Sequence, residues 1–388
     1  MNRVLVLGGG FGGIAAARGL RRRLPSDSEI VLIDKNPTFM VGFRKTWALL
    51  GLGDLEEGQR NLVELEKFGI QVIEETIIAI EPDLRAVKLG DRWLEADALV
   101  VALGSQLAYE RIPGFKDHAL NIYDPEAIPA AAATLDAFHG GRVVIGVFGT
   151  PYKCPPAPYE LALLTREFFN CKGIEVEISV FTPLPMSLPI LGDEGCKVIE
   201  GRLEEERIRF LPGHQAVSVE ANEVIFPNRT VPFDLLLGIA PHRCPDVVVA
   251  SRLARSAAWV QVNPRTLATT YPAVYSVGDV AQVMMANGKP LPKAGVFAEG
   301  QAEIVARRIA ATLEGKEPKA LYEGVGGCFL EVGGGKARMV EGEFLASSGP
   351  QVRLTKAKKS LYEKKKKFER RLLESWFDKE IEPVVQTP

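Results

Sequence analysis

Short apolar runs separated by longer amphipathic segments set the pattern of this chain. The runs at residues 3–7, 29–34 and 96–102 are nearly continuous and lead into glycines or an acid, which predicts buried strands of a parallel sheet. Two further runs, at 142–145 and 175–181, repeat the pattern in the middle of the chain. Helical patterns follow the first and the fourth run. The alternation predicts an α/β fold with two Rossmann-like units.

A glycine-rich turn follows the first predicted strand. Gly8, Gly10 and Gly13 have the GxGxxG spacing, and Asp34 ends the next strand 21 residues beyond Gly13. Glycines at these positions allow a tight turn, a close approach of the backbone to a pyrophosphate, and close helix–strand packing. Asp34 can accept hydrogen bonds from both ribose hydroxyls. The turn therefore predicts a dinucleotide-binding site. The alternative is a glycine turn with a structural role only.

Two later segments indicate that this dinucleotide is a flavin. The segment "ADALVVALGS" ends in a turn of small residues, and "VYSVGDVA" ends a strand at Gly278 and Asp279. Pro292 and Gly295 then precede a helix, whose N-terminus would stabilise negative charge on the pyrimidine edge of a reduced flavin. The alternative is that Gly278 and Asp279 form an ordinary turn at the end of a strand.

The second predicted unit lacks a nucleotide loop. It carries GVFG where GxGxxG is required, and three prolines without the amide hydrogens that a pyrophosphate needs. Phe181 and Thr182 stand where a ribose-binding acid is expected. The loop instead offers Cys154 beside Lys153 at the start of a helix, two features that lower the pKa of a thiol and favour the thiolate. The alternative is a buried structural cysteine.

A second candidate redox residue, Cys328, lies in a glycine-rich strand start after the predicted flavin helix. Two cysteines on either side of a flavin would form a two-electron relay. The other cysteines, Cys171, Cys196 and Cys244, are interpreted as structural. The five cysteines include no CxxC pair and no histidine cluster, so no metal site is predicted.

Over residues 1 to about 345, these motifs resemble the two-dinucleotide-domain flavoproteins related to glutathione reductase. The resemblance implies an FAD domain of residues 1–112 and 247–315, a degenerate NAD-type domain of residues 113–246, and a C-terminal region of residues 316–388. It implies that the backbone at Ile77 contacts adenine and that Arg44 lies near the flavin. The implied FAD-binding residues are Gly8, Gly10, Phe11, Gly12, Gly13, Asp34, Lys35, Arg44, Ile77, Ala102, Gly104, Gly278, Asp279, Lys293 and Gly295.

The distant cysteine pair resembles that of sulfide:quinone oxidoreductases and of the flavoprotein subunit of flavocytochrome c sulfide dehydrogenase. The resemblance implies that Cys154 receives sulfur, that Cys328 lies beside the flavin, and that sulfide or a small thiol or persulfide is oxidised by a quinone. The chain lacks the third active cysteine that many of these enzymes carry ahead of the second Rossmann unit. Two alternatives remain open, a type II NADH:quinone dehydrogenase and a flavoprotein that binds a partner without turnover.

The chain becomes strongly basic from residue 353. Leu361, Phe368, Leu372 and Trp376 lie on one face of a predicted helix whose other faces are rich in lysine and arginine. Such a helix can lie in a membrane interface with its apolar face down, or dock on the body or on a second subunit of a homo-oligomer. We expect a peripheral membrane protein on the cytoplasmic face. The net charge of −2 predicts no nucleic-acid partner.

Overall fold

The computed structural model of the chain describes residues 2–254 and 258–380. The helices, numbered in chain order, are α1 (Phe11–Arg21), α2 (Arg44–Leu49), α3 (Phe115–His118), α4 (Ile128–Asp136), α5 (Ala157–Lys172), α6 (Gly192–Glu205), α7 (Asp246–Ala250), α8 (Gly295–Leu313) and α9 (Lys359–Leu373). One turn of π-helix, Glu374–Asp378, continues α9.

The strands group into two five-stranded parallel sheets, several small antiparallel sheets and one short parallel pair. In chain order they are β1 (Arg3–Leu7), β2 (Glu29–Asp34), β3 (Thr38–Met40), β4 (Gln59–Asn61), β5 (Gln71–Glu74), β6 (Ile77–Glu81), β7 (Ala86–Leu89), β8 (Arg92–Glu95), β9 (Ala98–Val101), β10 (Gln106–Leu107), β11 (Leu120–Asn121), β12 (Gly141–Val147), β13 (Val176–Phe181), β14 (Ile208–Leu211), β15 (Ser218–Glu220), β16 (Glu223–Phe226), β17 (Arg229–Pro232), β18 (Leu235–Ile239), β19 (His242–Arg243), β20 (Val260–Gln261), β21 (Val274–Ser276), β22 (Ala281–Gln282), β23 (Val325–Glu331), β24 (Ala337–Glu343) and β25 (Gln351–Leu354).

The first parallel sheet has the strand order β21–β9–β1–β2–β5. Its apolar strands are covered on one face by α1 and α8 and on the other by α7 and the small sheet β6–β8. Because β1 pairs with both β2 and β9, the strand ends at Leu7, Asp34 and Val101 lie at the same edge. In sheets of this type, ligands bind outside the carboxyl ends of the strands.

The second parallel sheet has the order β11–β18–β12–β13–β14. Helices α5 and α6 pack on one face and the antiparallel strands β15–β17 on the other. The two sheets confirm the prediction of an α/β fold with two Rossmann-like units. The proposed domain boundaries stay predictions.

The C-terminal helix is docked on the body of the protein. Leu372, Leu373, Trp376 and Phe377 are each at most 5% exposed and belong to the core that covers the first sheet. Of the predicted apolar face, Leu372 and Trp376 are therefore docked on the protein, whereas Leu361 and Phe368 are half-buried, and contact of the helix with a membrane stays a prediction. A helical stripe of large apolar residues packs equally well on protein, and here it meets aromatic rings of the first domain. Within the described ranges, no helix combines the length and apolarity needed to cross a bilayer.

Candidate active site

The first glycine turn has the backbone that a dinucleotide site requires. Gly8 has a φ of +105°, a backbone conformation that residues with a side chain rarely adopt. A Cβ at this position would also overlap the carbonyl of Ala102. A Cβ at Gly13 would overlap the carbonyl oxygen of Gly8, so α1 begins against the turn. A Cβ at Gly10 would meet nothing within 4 Å. The turn therefore leaves room beside the N-terminus of α1, where amides and the helix dipole favour a pyrophosphate.

The acid at the end of β2 lies at the same turn. Asp34 Oδ2 accepts a hydrogen bond from the Gly9 amide at 2.6 Å, and its Oδ1 accepts one from the Asn36 amide at 2.8 Å. Lys35, which follows it, is exposed, and Gly104 beyond β9 has a φ of +63°. The Asp34 carboxylate is therefore hydrogen-bonded to the glycine turn, at the position where the sequence predicts a ribose.

The turn after β21 and the segment before α8 face each other. Gly278 has a φ of +74°, and its amide donates to Gln301 Oε1 at 2.7 Å. Lys293 Nζ donates to the carbonyl of Asp279 and lies 3.6 Å from the centre of the Trp259 ring. Burial lowers the pKa of Lys293 to about 8. These contacts hold Lys293 next to Asp279. The turn after β21 and the segment before α8 therefore lie close enough to contact the same cofactor.

The first glycine turn and the later segments are in contact. A Cβ at Gly12 would overlap the side chain of Val277, and one at Gly295 would overlap the ring of Phe11. The glycines at these two positions therefore let α1 and the start of α8 approach each other, so the predicted FAD segments share one cleft.

Three predicted FAD residues also serve the protein core. The Phe11 ring lies 5.5 Å from that of Trp376 in the C-terminal turn. Arg44 is 6% exposed, and its Nε donates to Glu369 Oε1 of α9 at 2.9 Å. Ile77 begins β6 and is buried against the first sheet. The structure therefore ties Phe11 and Arg44 to the C-terminal helix, a role that the sequence did not indicate.

The cleft fits FAD. It joins a glycine turn with open space beside a helix N-terminus, an acid at the end of the second strand, and a lysine and a second helix N-terminus on the far side. The residues at these positions would hold FAD, which when bound supplies two-electron transfer.

The loop between β12 and α5 carries Cys154 to this cleft. The Cys154 amide donates to the carbonyl of Lys293 at 2.8 Å, and the Tyr123 hydroxyl donates to the carbonyl of Lys153 at 2.7 Å. Cys154 has a φ of +56°, which is uncommon for a residue with a side chain. A loop of the second domain is thereby fastened to the FAD segment that precedes α8.

Cys328 reaches the same region from the C-terminal sheet. It lies in β23, and a Cβ at Gly326 would overlap the ring of Phe297 in the first turn of α8. The start of β23 therefore runs along the helix that begins at the FAD turn. This places Cys328 near the start of α8, on a strand that does not belong to the second parallel sheet.

A further contact joins the elements that carry the two cysteines. The Glu331 amide at the end of β23 donates to Glu160 Oε2 in the first turn of α5 at 2.8 Å. Cys328 lies three residues before Glu331, and Cys154 lies three residues before α5. The structure therefore places the elements that carry Cys154 and Cys328 side by side. That the two cysteines act as a redox pair stays a prediction.

The Cys154 thiol is less acidic than the sequence predicts, and the pKa of Cys328 is raised as well. Burial and the negative charge of Glu160 raise the pKa of Cys154 to about 11, although Lys365 lowers it. Burial, then Cys154 and Glu160, raise the pKa of Cys328 above its ordinary range. The expectation that Lys153 and the helix start favour the Cys154 thiolate is therefore wrong, because desolvation and a buried carboxylate outweigh both.

Sequence reasoning missed a buried group of charges next to the thiols. Lys365 Nζ donates to Glu160 Oε1 and to Glu331 Oε1, each at 2.7 Å. Trp47 Nε1 donates to the same oxygen of Glu331 at 2.7 Å. Glu160, Glu331 and Lys365 are all at most 3% exposed. We call these three residues the buried triad.

One signal for the buried triad was present in the sequence. Lys365 lies between Leu361 and Phe368 on the apolar stripe of α9, where a lysine is out of place unless it is paired. Its partners had no such signal, because Glu160 and Glu331 are 171 positions apart and follow no motif. Among the other cysteines, Cys196 and Cys244 are buried and Cys171 is exposed, so the structural interpretation does not fit Cys171.

Comparison with known proteins agrees with this geometry. The chain belongs to the pyridine nucleotide-disulphide oxidoreductase family, whose model matches residues 2–302. It is an FAD-dependent oxidoreductase, as the cleft indicates.

Within that class the chain is similar to the sulfide:quinone oxidoreductases. It is 24% identical to the mitochondrial sulfide:quinone oxidoreductase of Mus musculus over 361 residues, which covers 88% of this chain and 78% of the relative. It is 28% identical to the sulfide-quinone reductase of Aquifex aeolicus over 341 residues, or 81% and 78% of the two chains. The crystal structure of the sulfide:quinone oxidoreductase from Aquifex aeolicus matches with a TM-score of 0.89 and 26% identity, covering 99% of this chain and 93% of that one.

Proposed function

We propose that the protein oxidises sulfide and reduces a quinone, with Cys154 and Cys328 as its redox pair. The observation that carries the proposal is that the Cys154 loop is hydrogen-bonded to the FAD segment before α8, while the strand of Cys328 runs along the start of α8. Two thiols held beside a two-electron carrier can cycle through a disulfide. The names of the relatives agree with this donor and acceptor.

The sulfur chemistry needs only these two cysteines. Hydrosulfide attacks the sulfur of Cys154 in the disulfide, so that the disulfide bond breaks, a persulfide forms on Cys154, and Cys328 leaves as a thiolate. Closing a bond between the outer persulfide sulfur and Cys328 then releases two electrons and one proton. The final electron acceptor that we propose is a quinone.

The structure of the second domain favours sulfide over NADH as the electron donor. A Cβ at Gly146 would overlap the rings of Phe148 and Phe181, which are at most 1% exposed and lie 5.0 Å apart. These rings pack against the end of β12 at Gly146, and the turn that follows carries Pro151, Pro155 and Pro156, which have no amide hydrogen to offer a pyrophosphate. The type II NADH:quinone dehydrogenase alternative requires such amides.

A groove between α8, β23 and α9 suits the quinone. Its volume is about 680 Å³, and its apolar side is formed by Phe329, Phe368 and Leu372. Phe329 directly follows Cys328 in β23, and its ring centre lies 6.1 Å from that of Phe368. Glu299 of α8 also lines the groove, so that polar and apolar groups are both available to a ring with carbonyl oxygens.

The exposed face of α9 supports contact with a membrane. Lys364, Lys367, Arg370 and Arg371 are exposed there, and three of these also line the groove. Cations near an anionic lipid surface contribute on the order of 1 kcal/mol each. We therefore propose that the helix binds the membrane through its charges, with the groove opening near the lipid, because Leu372, Leu373, Trp376 and Phe377 are already buried.

The proposed function is tested by sulfide-dependent reduction of a short-chain quinone by the purified holoenzyme. We expect C154S and C328S each to lose this activity, because either change removes one half of the disulfide. C171S, which replaces an exposed cysteine far from the cleft, is the matched control and should keep it. Full activity in C154S or C328S would contradict the role of the pair. Absence of turnover in the wild type with every donor would favour the partner-binding alternative.

A further inference from the structure

The backbone of Cys154 has a conformation that needs support from its surroundings. Its φ of +56° lies in the left-handed region, where the Cβ of a residue with a side chain crowds the following carbonyl oxygen. Glycine adopts this conformation without that crowding, but a glycine here would lack the thiol. The contacts around the loop therefore have to hold Cys154 in this conformation.

We propose that Tyr123 is a positioning residue for the Cys154 thiol, and that its hydroxyl group holds the peptide between Lys153 and Cys154 in the orientation that the redox pair requires. The inference rests on the proposed function, in which Cys154 forms a disulfide with Cys328. It adds to that function a residue that acts through the backbone.

The peptide between Lys153 and Cys154 is hydrogen-bonded at both ends. The Tyr123 hydroxyl donates to the Lys153 carbonyl at 2.7 Å, and the Cys154 amide donates to the carbonyl of Lys293 at 2.8 Å. Tyr123 follows β11 of the second sheet, whereas Lys293 belongs to the FAD segment before α8. When this peptide is fixed, the φ of Cys154 sets the direction of its Cα–Cβ bond.

The other contacts to the Cys154 peptide groups come from the backbone. The Ala157 amide at the start of α5 donates to the Cys154 carbonyl at 2.9 Å, and Lys293 contributes its carbonyl. These bonds do not depend on the side chains of Ala157 and Lys293. The Tyr123 hydroxyl is therefore a contact that a single substitution can remove while the backbone contacts stay.

Tyr123 is itself held firmly. It is 8% exposed, its ring centre lies 5.5 Å from that of His242 in an edge-on arrangement, and its amide donates to Asn121 Oδ1 at 3.0 Å. Burial raises the pKa of Tyr123 well above its ordinary value, so the hydroxyl keeps its proton and remains a donor. A buried ring that is packed in this way can hold the loop in one place.

The position of Cys154 matters because a disulfide tolerates little variation in geometry. The two Cα atoms must lie within a narrow range of distances, and the torsion about the S–S bond must be near ±90°. Cys328 is fixed in β23, so the loop has to bring Cys154 to it. Without the Tyr123 hydroxyl, Cys154 is free to relax to a negative φ, and the dithiol form becomes more favourable than in the wild type.

Two matched substitutions test this role. Y123F removes the hydroxyl and keeps the ring against His242. Y159F also removes a buried hydroxyl that donates to a carbonyl at 2.7 Å, but that carbonyl belongs to Ser187, outside the Cys154 loop. The holoenzymes are equilibrated without oxygen in mixtures of reduced and oxidised glutathione, and the linked Cys154–Cys328 peptides are measured by mass spectrometry. In this exchange two thiols become one disulfide while one glutathione disulfide becomes two glutathione thiols.

We expect the equilibrium constant for forming the Cys154–Cys328 disulfide to be about 10-fold lower in Y123F, a shift of about 30 mV, and unchanged in Y159F. A wild-type value in Y123F, or an equal loss in both variants, would overturn the proposal. The measurement needs no sulfide, so a normal disulfide in a wild-type protein whose flavin sulfide does not reduce would contradict the proposed function alone. If the wild type forms no such disulfide in any mixture, the redox pair is wrong and the role of Tyr123 falls with it.

Discussion

At the scale of single residues, the negative charge of Glu160 lowers the acidity of the two thiols. It raises the pKa of Cys154 and of Cys328. E160Q should therefore make Cys154 more acidic, so that iodoacetamide labels it faster near pH 8 than in wild type. Equal labelling rates in E160Q and wild type would contradict this effect.

The residues predicted from sequence are those whose role is local. Gly8, Gly13 and Asp34 belong to one short motif, and their backbone requirements follow from its spacing. Cys154 was recognised from its loop, but its acidity was not, because Glu160 and burial come from packing that a local pattern does not describe. The FAD contacts assigned by resemblance to Lys35 and Ile77 stay predictions.

Among the elements, α9 connects every part of the active site. Lys365 joins it to α5 and β23, and Arg44 joins it to the first domain through Glu369. The sequence predicted an amphipathic helix here, and this was correct. It did not predict where the apolar stripe docks, because a membrane and a protein core select the same spacing of large apolar residues.

The docking of α9 predicts a large loss of stability in K365M. Removing the ammonium group leaves two buried carboxylates without their common partner, and breaking a buried ion pair in this way costs about 3–5 kcal/mol. Urea unfolding of the holoenzyme, followed by circular dichroism, measures the loss. K366M is the matched control. Lys366 is next to Lys365 in sequence but pairs with Glu363 at the surface, where an ion pair contributes little to stability. Equal midpoints for the two variants would show that the buried triad does not hold the helix.

The whole molecule is organised so that two parallel sheets and a C-terminal sheet meet at one cleft. The two parallel sheets were predictable from their apolar runs, since the period and length of these runs set the strand type, whereas the C-terminal sheet was not predicted. The meeting point was not, because it depends on long-range contacts such as the hydrogen bond from Cys154 to Lys293. The cleft is therefore a property of the assembled chain, although its glycines are visible in the sequence.

Contact with a membrane is predicted to depend on charge. K367E/R371E should weaken flotation of the protein with anionic vesicles and have little effect with neutral ones, because both side chains lie on the exposed face of α9. K116E/K289E places the same charge change at exposed lysines elsewhere and should bind like wild type. High salt should release the wild-type protein, since screening weakens exposed charge interactions. Binding that resists salt and both substitutions would point to insertion of apolar groups instead.

The most direct test of the account is an anaerobic absorbance titration of the purified FAD protein, with sulfide in one sample and NADH in another. We predict that sulfide bleaches the flavin band and that NADH does not, because the elements that carry the two cysteines meet near the start of α8, while the turn after β12 carries three prolines and no nucleotide loop. Bleaching by NADH, with no response to sulfide, would contradict the account and favour the dehydrogenase alternative.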